Sequence, residues 1–468
     1  MARTTEKLYE LIPSQQVMYT LVRYSIHKQV TQIPSSITVR EKLDLDLLTK
    51  ALNIEFQRND ALRLRFRRSK IGLGIKQYFL KEYSVDSVPT YNFKTKEEQE
   101  AVLNKDAQTP VHIFKDESFR VIFFNTPENH TGIYLNVSHV VSDAMGTAVF
   151  FHDLLCVYKA LRDGTEMPAP LSSYEEHIQK EFAYLNNEKL HGRDAEFYVR
   201  YWRENGEPFY AGINGHELLD KAREKNPNIR VPEAYDPIHD QAAVIHKYVS
   251  KEDTDKMYAF CKEQLVSPET LYMYAYRAHA SRVNRRADDV LNLVMCSRRA
   301  SVKDKTVGGC LAQPLQLRVK TPETDTFAEA VHRLSSNRNE LIRHMNFPYL
   351  EALGLQHKEF GFKVSQGPSC FMFSWLPVGL AADKAPFEFD FTAYCMGRYV
   401  MPLYIFAVPT IDGGTDFYYM HRTNAINETH INLLHENAMK AIDLGTENPD
   451  MTVAQLLDNL RDFDFAKD

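Results

Sequence analysis

Hydrophobic residues recur along the chain at two spacings, and each spacing predicts a different kind of element. Over residues 43–62 apolar side chains return every three or four positions, which predicts an amphipathic helix. Over residues 62–66 apolar and basic side chains alternate, which predicts a strand with one buried face. Helical spacing returns at 267–283 and 428–442, with strand-like runs between them. The pattern therefore predicts helices and strands mixed from one end of the chain to the other.

The segment at residues 131–146 combines the two patterns. Ile133, Leu135 and Val137 fall on the same face of a predicted strand as His139. Beyond position 146 the apolar residues recur at helical spacing. This order predicts that His139 ends a strand, directly before a turn and a helix.

A stretch with weak periodicity divides the chain. Residues 206–240 contain four prolines and three glycines, which favours irregular structure. We interpret it as a connection between an N-terminal half at 1–205, which carries His139, and a C-terminal half at 241–468. Each half mixes strands and helices, so the sequence predicts two α+β sandwich-like domains.

The composition is that of a folded globular protein, with 44% hydrophobic and 25% charged residues in a chain of 468. The 62 acidic and 56 basic residues give a net charge of −6, so nucleic acid is not a predicted partner. We find no apolar leader at the N-terminus and no apolar run of about 18 residues, so we expect no secretory signal, no membrane span and a cytoplasmic location.

Common catalytic signatures are absent from the sequence. It contains no GxxxxGK[ST], no strand-linked GxGxxG, no HExxH and no GxSxG, which removes support for P-loop enzymes, Rossmann dehydrogenases, zinc proteases and α/β-hydrolases. The six cysteines form no CxxC pair, so we predict no metal site and expect reduced, packed thiols.

The remaining candidate for chemistry is the run from His139 to Gly146, which reads HVVSDAMG. A neutral imidazole can take a proton from an alcohol or amine as that group attacks an acyl carbon. Asp143, four residues later, could support the turn. So short a pattern also fits a core histidine beside an aspartate that caps the next helix, and both interpretations stay open.

Other blocks accompany this run in an order that resembles the superfamily of CoA-dependent acyltransferases. Its members include chloramphenicol acetyltransferase, plant alcohol acyltransferases and the condensation domains of nonribosomal peptide synthetases. The similar blocks are residues 11–21, like "LSxxQ"; 57–66, like "RHExLRTxF"; 138–146, like "HHxxxDG"; Tyr201-Trp202, like "YW"; 298–318, like "R…VGxxxNxLPLR"; and 371–375, in place of the strand that lines the active site from the second half. The ordered set covers nearly the whole chain.

The resemblance implies a role for each matching residue. His139 is implied to be the catalytic base, and Asp143 to brace the loop through an arginine. Arg298 lies ten residues before Gly308, as that arginine does, so it is chosen as the partner over Arg299.

The same resemblance implies contacts with substrate. Gly146, or Ala144, lies where the backbone approaches substrate closely. Ser374 is a candidate hydrogen-bond donor to the oxyanion, although an inert strand serine fits equally well. Trp375 is a candidate substrate-binding residue.

The sequence departs from the family pattern at three positions. Ser138 replaces the first histidine, Ala144 replaces the glycine after the aspartate, and Ala312 stands where condensation domains usually have asparagine. A DFGWG block is also missing, so plant alcohol acyltransferases are not the nearest branch.

The implied architecture is two chloramphenicol-acetyltransferase-like halves packed as a pseudo-dimer around a tunnel that holds His139. The implied reaction moves an acyl group from a thioester to a hydroxyl or amine of a small-molecule acceptor, without a permanent cofactor. Acyl-CoA is the favoured co-substrate because no fused adenylation or carrier domain is visible. A stand-alone condensation enzyme using a carrier-protein thioester is the first alternative, and a non-catalytic binding module is the second. Acyl chain length, acceptor, pathway and oligomeric state stay open.

Overall fold

The computed structural model describes residues 7–68, 74–115, 117–229, 236, 238–361, 369–376 and 385–463. Within these residues the strands form one five-stranded sheet, one six-stranded sheet and a two-stranded pair. Helices and strands alternate in both parts of the chain, which confirms the predicted α+β class.

The first sheet has the strand order β11-β1-β6-β5-β4 and is antiparallel except for the β4–β5 pair. Its apolar face packs with the helices around it into one hydrophobic core. The elements of this part are α1 (Pro13–Tyr24), β1 (Gln32–Val39), α2 (Leu45–Arg58), β2 (Leu64–Arg68), β3 (Ile75–Phe79), β4 (Thr90–Asn92), α3 (Lys96–Ala107), β5 (Phe119–Asn125), β6 (Thr131–Ser138), α4 (Ala144–Asp163), α5 (Tyr174–Leu185) and α6 (Glu188–Asn205), with β11 (Phe389–Ala393) from later in the chain.

The second sheet has the order β7-β13-β12-β10-β8-β9 and mixes parallel and antiparallel pairs. Its elements and helices are α7 (His216–Lys225), β7 (Ala242–Val249), α8 (Lys251–Glu263), α9 (Pro268–Val283), β8 (Leu291–Ser297), β9 (Ala312–Arg318), α10 (Phe327–Arg343), α11 (Tyr349–Phe360), β10 (Met372–Trp375), β12 (Leu403–Pro409), β13 (Thr415–Arg422), α12 (Glu428–Glu447) and α13 (Val453–Asn459).

The two faces of the second sheet have different neighbours. On β12, Leu403 and Ile405 belong to the core that includes α9 and α12. The residues between and beyond them, Tyr404 and Phe406, face the other way and line a cavity. Side chains alternate along a strand, so one face of this sheet is covered by helices and the other turns toward the first half of the chain.

One strand crosses from the later part of the chain into the first sheet. β11 pairs antiparallel with β1, with Ala393 opposite Ser35 and Phe389 opposite Val39. The first sheet is therefore completed by a strand from within the predicted C-terminal half. The connection at 206–240 also holds α7, and the division into 1–205, 206–240 and 241–468 stays a prediction.

Local sequence signals set several helix ends. Ser267 caps α9 by accepting a hydrogen bond from the Thr270 N–H, and Pro268 occupies the first turn, as predicted. Gly164 ends α4 with a positive φ of 64°. Among the described helices α4 is long and apolar enough to cross a membrane by length and composition, but more than half of its apolar stretch is buried inside the protein, as in a core helix.

Candidate active site

The end of β6 fixes the position of His139. The His139 N–H donates to the Thr31 carbonyl over 2.8 Å, which ties it to the start of β1. All eight residues of β6 are buried, with β1 on one side and β5 on the other. The imidazole therefore projects from a rigid strand end, as the alternation of residues 133–139 predicts.

Asp143 performs two structural tasks at once. Its Oδ1 accepts from the Gly146 N–H over 2.8 Å, which caps α4. Its Oδ2 accepts from the Arg299 guanidinium over 2.8 Å and from the Leu311 N–H over 2.7 Å. Burial alone would raise the pKa of Asp143, but the Arg299 charge and the backbone donors lower it overall. The carboxylate thus stays ionised while it holds the turn to the second half.

Arg298 was expected to be the partner of Asp143, and this prediction is wrong. The Arg298 guanidinium donates to Glu181 over 2.7 Å and to the Ser14 hydroxyl over 3.0 Å. Arg299 makes the ion pair instead. Consecutive residues after a strand point to opposite sides, so the two arginines reach different partners. Counting residues back from Gly308 could not separate neighbours that differ by one position.

The protein itself leaves no space for a side chain at Gly146. A Cβ placed there would lie 2.2 Å from the Gly308 carbonyl oxygen and 2.4 Å from the Ser142 hydroxyl. The Ser142 hydroxyl in turn donates to that carbonyl over 2.8 Å. Of the pair, Ala144 is among the described residues that line the cavity and Gly146 is not, and the substrate contact expected of Gly146 stays a prediction.

The cavity beside His139 has a volume of about 220 Å³. It lies between α1 and β1 of the first half and the free face of the second sheet. Among the described residues that line it, none is Asp, Glu, Lys or Arg. Six methionines contribute to the wall: Met18, Met295, Met372, Met396, Met401 and Met420.

Strand β10 places the remaining two candidates differently. Ser374 is 1% exposed and accepts a hydrogen bond from the Tyr404 hydroxyl over 2.8 Å. The Trp375 ring stacks on Tyr272 of α9, with centroids 5.7 Å apart. Trp375 thus lies on the helix-covered face, which corrects its expected substrate contact, while Met372 on the opposite face lines the cavity.

The surroundings of His139 suit a neutral imidazole. Burial lowers its pKa, and the nearby Asp143 charge raises it by a smaller amount. The Cys310 Sγ lies 3.8 Å from Nδ1, and burial raises the pKa of that thiol. A ring that is neutral at pH 7 can accept a proton from a group bound in the cavity.

Sequence reasoning missed Thr147 and Cys310. Thr147 is 3% exposed, lines the cavity, and its hydroxyl has no hydrogen-bond partner among the described residues. The signal was available, because a helix that starts after Asp143 places Ala144 and Thr147 on one face. Cys310 follows the Gly308 block, and no local pattern ties it to the histidine. The described part of the chain has no group of three or more His, Cys, Asp or Glu residues that could hold a metal ion.

The chain is similar to one protein-family model and to several peptide synthases. The condensation-domain family model matches residues 5–395. Surfactin synthase subunit 1 of Bacillus subtilis is 23% identical over 352 residues, or 73% of this chain and 9% of the relative. Gramicidin S synthase 2 of Brevibacillus brevis is 23% identical over 353 residues, or 74% of this chain and 7% of the relative. The chain therefore spans under a tenth of the length of these two relatives.

Solved structures show the same fold. The first condensation domain of the calcium-dependent antibiotic synthetase superposes with a TM-score of 0.79 at 17% identity, covering 96% of this chain and 99% of that one. A mutant of the starter condensation domain of rhizomide synthetase RzmA, in complex with C8-CoA, superposes with a TM-score of 0.76 at 14% identity, covering 96% and 97%. The predicted architecture of two chloramphenicol-acetyltransferase-like lobes is confirmed by these neighbours.

Proposed function

The chain belongs to the condensation-domain family, within the CoA-dependent acyltransferase superfamily, and from this membership we propose that it transfers an acyl group from a thioester to an amine or hydroxyl acceptor. Condensation domains are transferases that form amide or ester bonds. The observation that carries the proposal is His139, a half-buried imidazole that lines an apolar cavity at the end of a rigid strand.

In the proposed step His139 acts as general base. With Nδ1 beside Cys310, Nε2 is the nitrogen that takes the proton of the acceptor as it attacks the thioester carbon. The thioester C–S bond then breaks, and the imidazolium returns the proton to the departing thiolate. The lowered pKa of His139 supports this role, because the ring is neutral before the reaction.

We propose direct transfer without an acyl-enzyme intermediate. The nearest thiol, Cys310, is fully buried and its pKa is raised by burial, so it lacks the thiolate character of a nucleophile. Asp143 serves as a positioning residue, since Arg299 and the Leu311 N–H occupy its Oδ2.

For the donor we propose a thioester of a phosphopantetheine arm. Condensation domains use such arms on carrier proteins, and a structural neighbour was solved with C8-CoA. Acyl-CoA is the donor we favour, with a carrier-bound acyl or aminoacyl thioester as the alternative. The acceptor is a small-molecule amine or alcohol.

The experiment is acceptor-dependent thiol release. Wild type and His139→Ala are compared with acyl-CoAs and with carrier-loaded thioesters, using pooled amines and alcohols. We expect His139→Ala to lower kcat at least about 100-fold, the lower range for loss of a general base. His112→Ala, at an exposed histidine, is the matched control and should leave kcat unchanged.

Two results would overturn the proposal. One is equal release by wild type and His139→Ala. The other is no acceptor-dependent release from any thioester by a protein that melts cooperatively, which would instead support a non-catalytic binding module on this fold.

A further inference from the structure

The wall of the cavity opposite His139 is one face of the second sheet. Alternate residues of neighbouring strands form it, including Leu293 and Met295 of β8, Met372 of β10, and Tyr418 and Met420 of β13. Methionine side chains are unbranched and flexible, so a wall rich in them adapts to ligands of variable shape.

The cavity wall is mainly apolar and offers no charged partner to an ionised group. Its described lining contains no acidic or basic side chain other than His139. The Gln32 amide is occupied, since it donates to Ala107, Thr109 and Asn136 and its oxygen accepts from the Val111 N–H. An ammonium group placed here would lose its hydration without gaining a carboxylate partner, which is unfavourable.

The cavity also extends away from His139 along β1. Residues 31–35 line it in succession along β1, a distance of about 13 Å at the rise of a strand. Thr31 lies at the His139 end, where its carbonyl accepts from the His139 N–H. Ser35 lies at the far end, opposite Ala393 of β11, which also lines the cavity.

We propose that this cavity holds a long, unbranched aliphatic chain, with its reactive end at His139 and its tail toward Ser35 and Ala393. The proposal rests on the proposed acyl transfer and names its substrate class. The chain is carried by the acyl donor, as a fatty acyl thioester, or by the acceptor, as a long-chain amine or alcohol. Both present the same uncharged methylene groups to the wall.

Two kinetic arms distinguish these sources. In the first, acetyl-, octanoyl- and palmitoyl-CoA are compared with one short amine or alcohol as acceptor. In the second, acetyl-CoA is compared with alkyl amines and alcohols of rising length. A rise of kcat/KM with chain length in either arm supports the proposal and identifies which substrate carries the chain.

A variant at the far end tests the position of the chain. Ala393→Phe should lower the ratio of long-chain to short-chain kcat/KM at least about 10-fold, because single methylene mismatches in apolar pockets have effects of this size. Ala101→Phe, on the exposed surface of α3, is the matched control and should leave the ratio unchanged. Ala148→Leu, in the same cavity, replaces Ala393→Phe if that variant does not fold.

A binding measurement separates this proposal from the proposed function. Fluorescence of cis-parinaric acid is titrated with His139→Ala protein and displaced with palmitate. Displaceable binding that Ala393→Phe weakens, together with no acceptor-dependent thiol release by the wild-type protein, would support the aliphatic site and overturn the acyl-transfer proposal. His139-dependent transfer that is independent of chain length in both arms, with no parinaric acid binding, would overturn the aliphatic site alone.

Discussion

Two walls meet at His139, and they are built in opposite ways. The wall formed by the Asp143 turn is polar, and hydrogen bonds of 2.7–2.8 Å reach both carboxylate oxygens. The wall formed by the second sheet is apolar and rich in methionine, with no charged side chain among its described residues. Directional bonds hold the turn after His139 in place on one side, and non-directional contacts surround an open cavity on the other.

The contrast predicts two kinds of mutational effect. A buried ion pair loses stability when one partner is removed, because the other charge stays buried without compensation. A methionine wall tolerates changes of similar volume and responds in its choice of ligand. Substitutions near Asp143 should therefore destabilise the protein, and substitutions in the cavity should change its selectivity.

The largest expected effect is that of Arg299→Met. Removing the guanidinium leaves the buried Asp143 without its ionic partner, and we expect the free energy of unfolding to fall by about 3–5 kcal/mol in urea titrations. Arg40→Met breaks the exposed pair with Asp390 and should cost at most about 1 kcal/mol. If Arg299→Met lowered the free energy of unfolding no more than this control, the Arg299–Asp143 ion pair would not be what stabilises the turn.

A smaller loss is expected for Gly146→Ala. The added methyl group meets the Gly308 carbonyl, and overpacking of this kind costs about 1–3 kcal/mol. Gly192→Ala in α6 is the matched control, because its added methyl meets no atom within 4 Å outside its chain neighbours and the nearby backbone of its own helix. It should raise stability by about 0.4–1 kcal/mol. Thermal melts of both variants should therefore shift in opposite directions, and a shared direction would contradict the close approach.

The buried Glu55 makes stability depend on pH, which tests the packing between Asn59 and Gly308 behind the Asp143 turn. Its carboxyl is buried and accepts from the Asn59 amide, whose oxygen lies where a side chain at Gly308 would be. Burial, followed by the neighbouring Asp153, raises the pKa of Glu55 well above its ordinary 4.5.

The sign of the pH effect follows from that shift. The folded state holds the Glu55 proton more tightly, so its contribution to stability is complete below pH 4.5 and falls as the pH rises above that value. The loss is at most about 1.4 kcal/mol per pH unit. Glu55→Gln should flatten this slope in unfolding titrations at pH 5–8, and an unchanged slope would show that Glu55 is ionised in the folded protein.

The smallest expected change in stability is that of Ser374→Ala. It removes the acceptor of the Tyr404 hydroxyl, a loss of about 0.5–1.5 kcal/mol. We expect kcat to stay within about twofold of wild type, because the Ser374 hydroxyl is already hydrogen-bonded to Tyr404. A fall in kcat of about 100-fold or more would instead establish Ser374 as the oxyanion donor.

Local patterns predicted the polar wall better than the apolar one. The strand-turn-helix around His139 and the cap at Ser267 follow from alternation and helix-start signals that act over a few residues. Arg299 was missed because a spacing rule cannot tell which of two adjacent side chains faces Asp143. Trp375 was misplaced although alternation with Met372 assigns it to the other face of β10.

The position of β11 could not be predicted from any local pattern. Its pairing with β1 joins residues that are far apart in sequence, and the hydrophobic alternation of Phe389 and Phe391 fits either sheet. The cavity wall depends on that pairing, since Ala393 reaches the cavity only from beside Ser35. The shape of the cavity thus depends on long-range topology, whereas the strand-turn-helix around His139 can be predicted from a short segment.

The crossing of β11 also has a consequence for synthesis on the ribosome. β1 emerges with one edge open, and the strand that covers this edge follows roughly 350 residues later. At about 5–20 residues per second, the edge waits roughly 20–70 s for its partner. An open edge can pair with another chain during that interval. Nascent chains stalled before Phe389 should therefore aggregate or recruit a chaperone, and release past Ala393 should end that exposure.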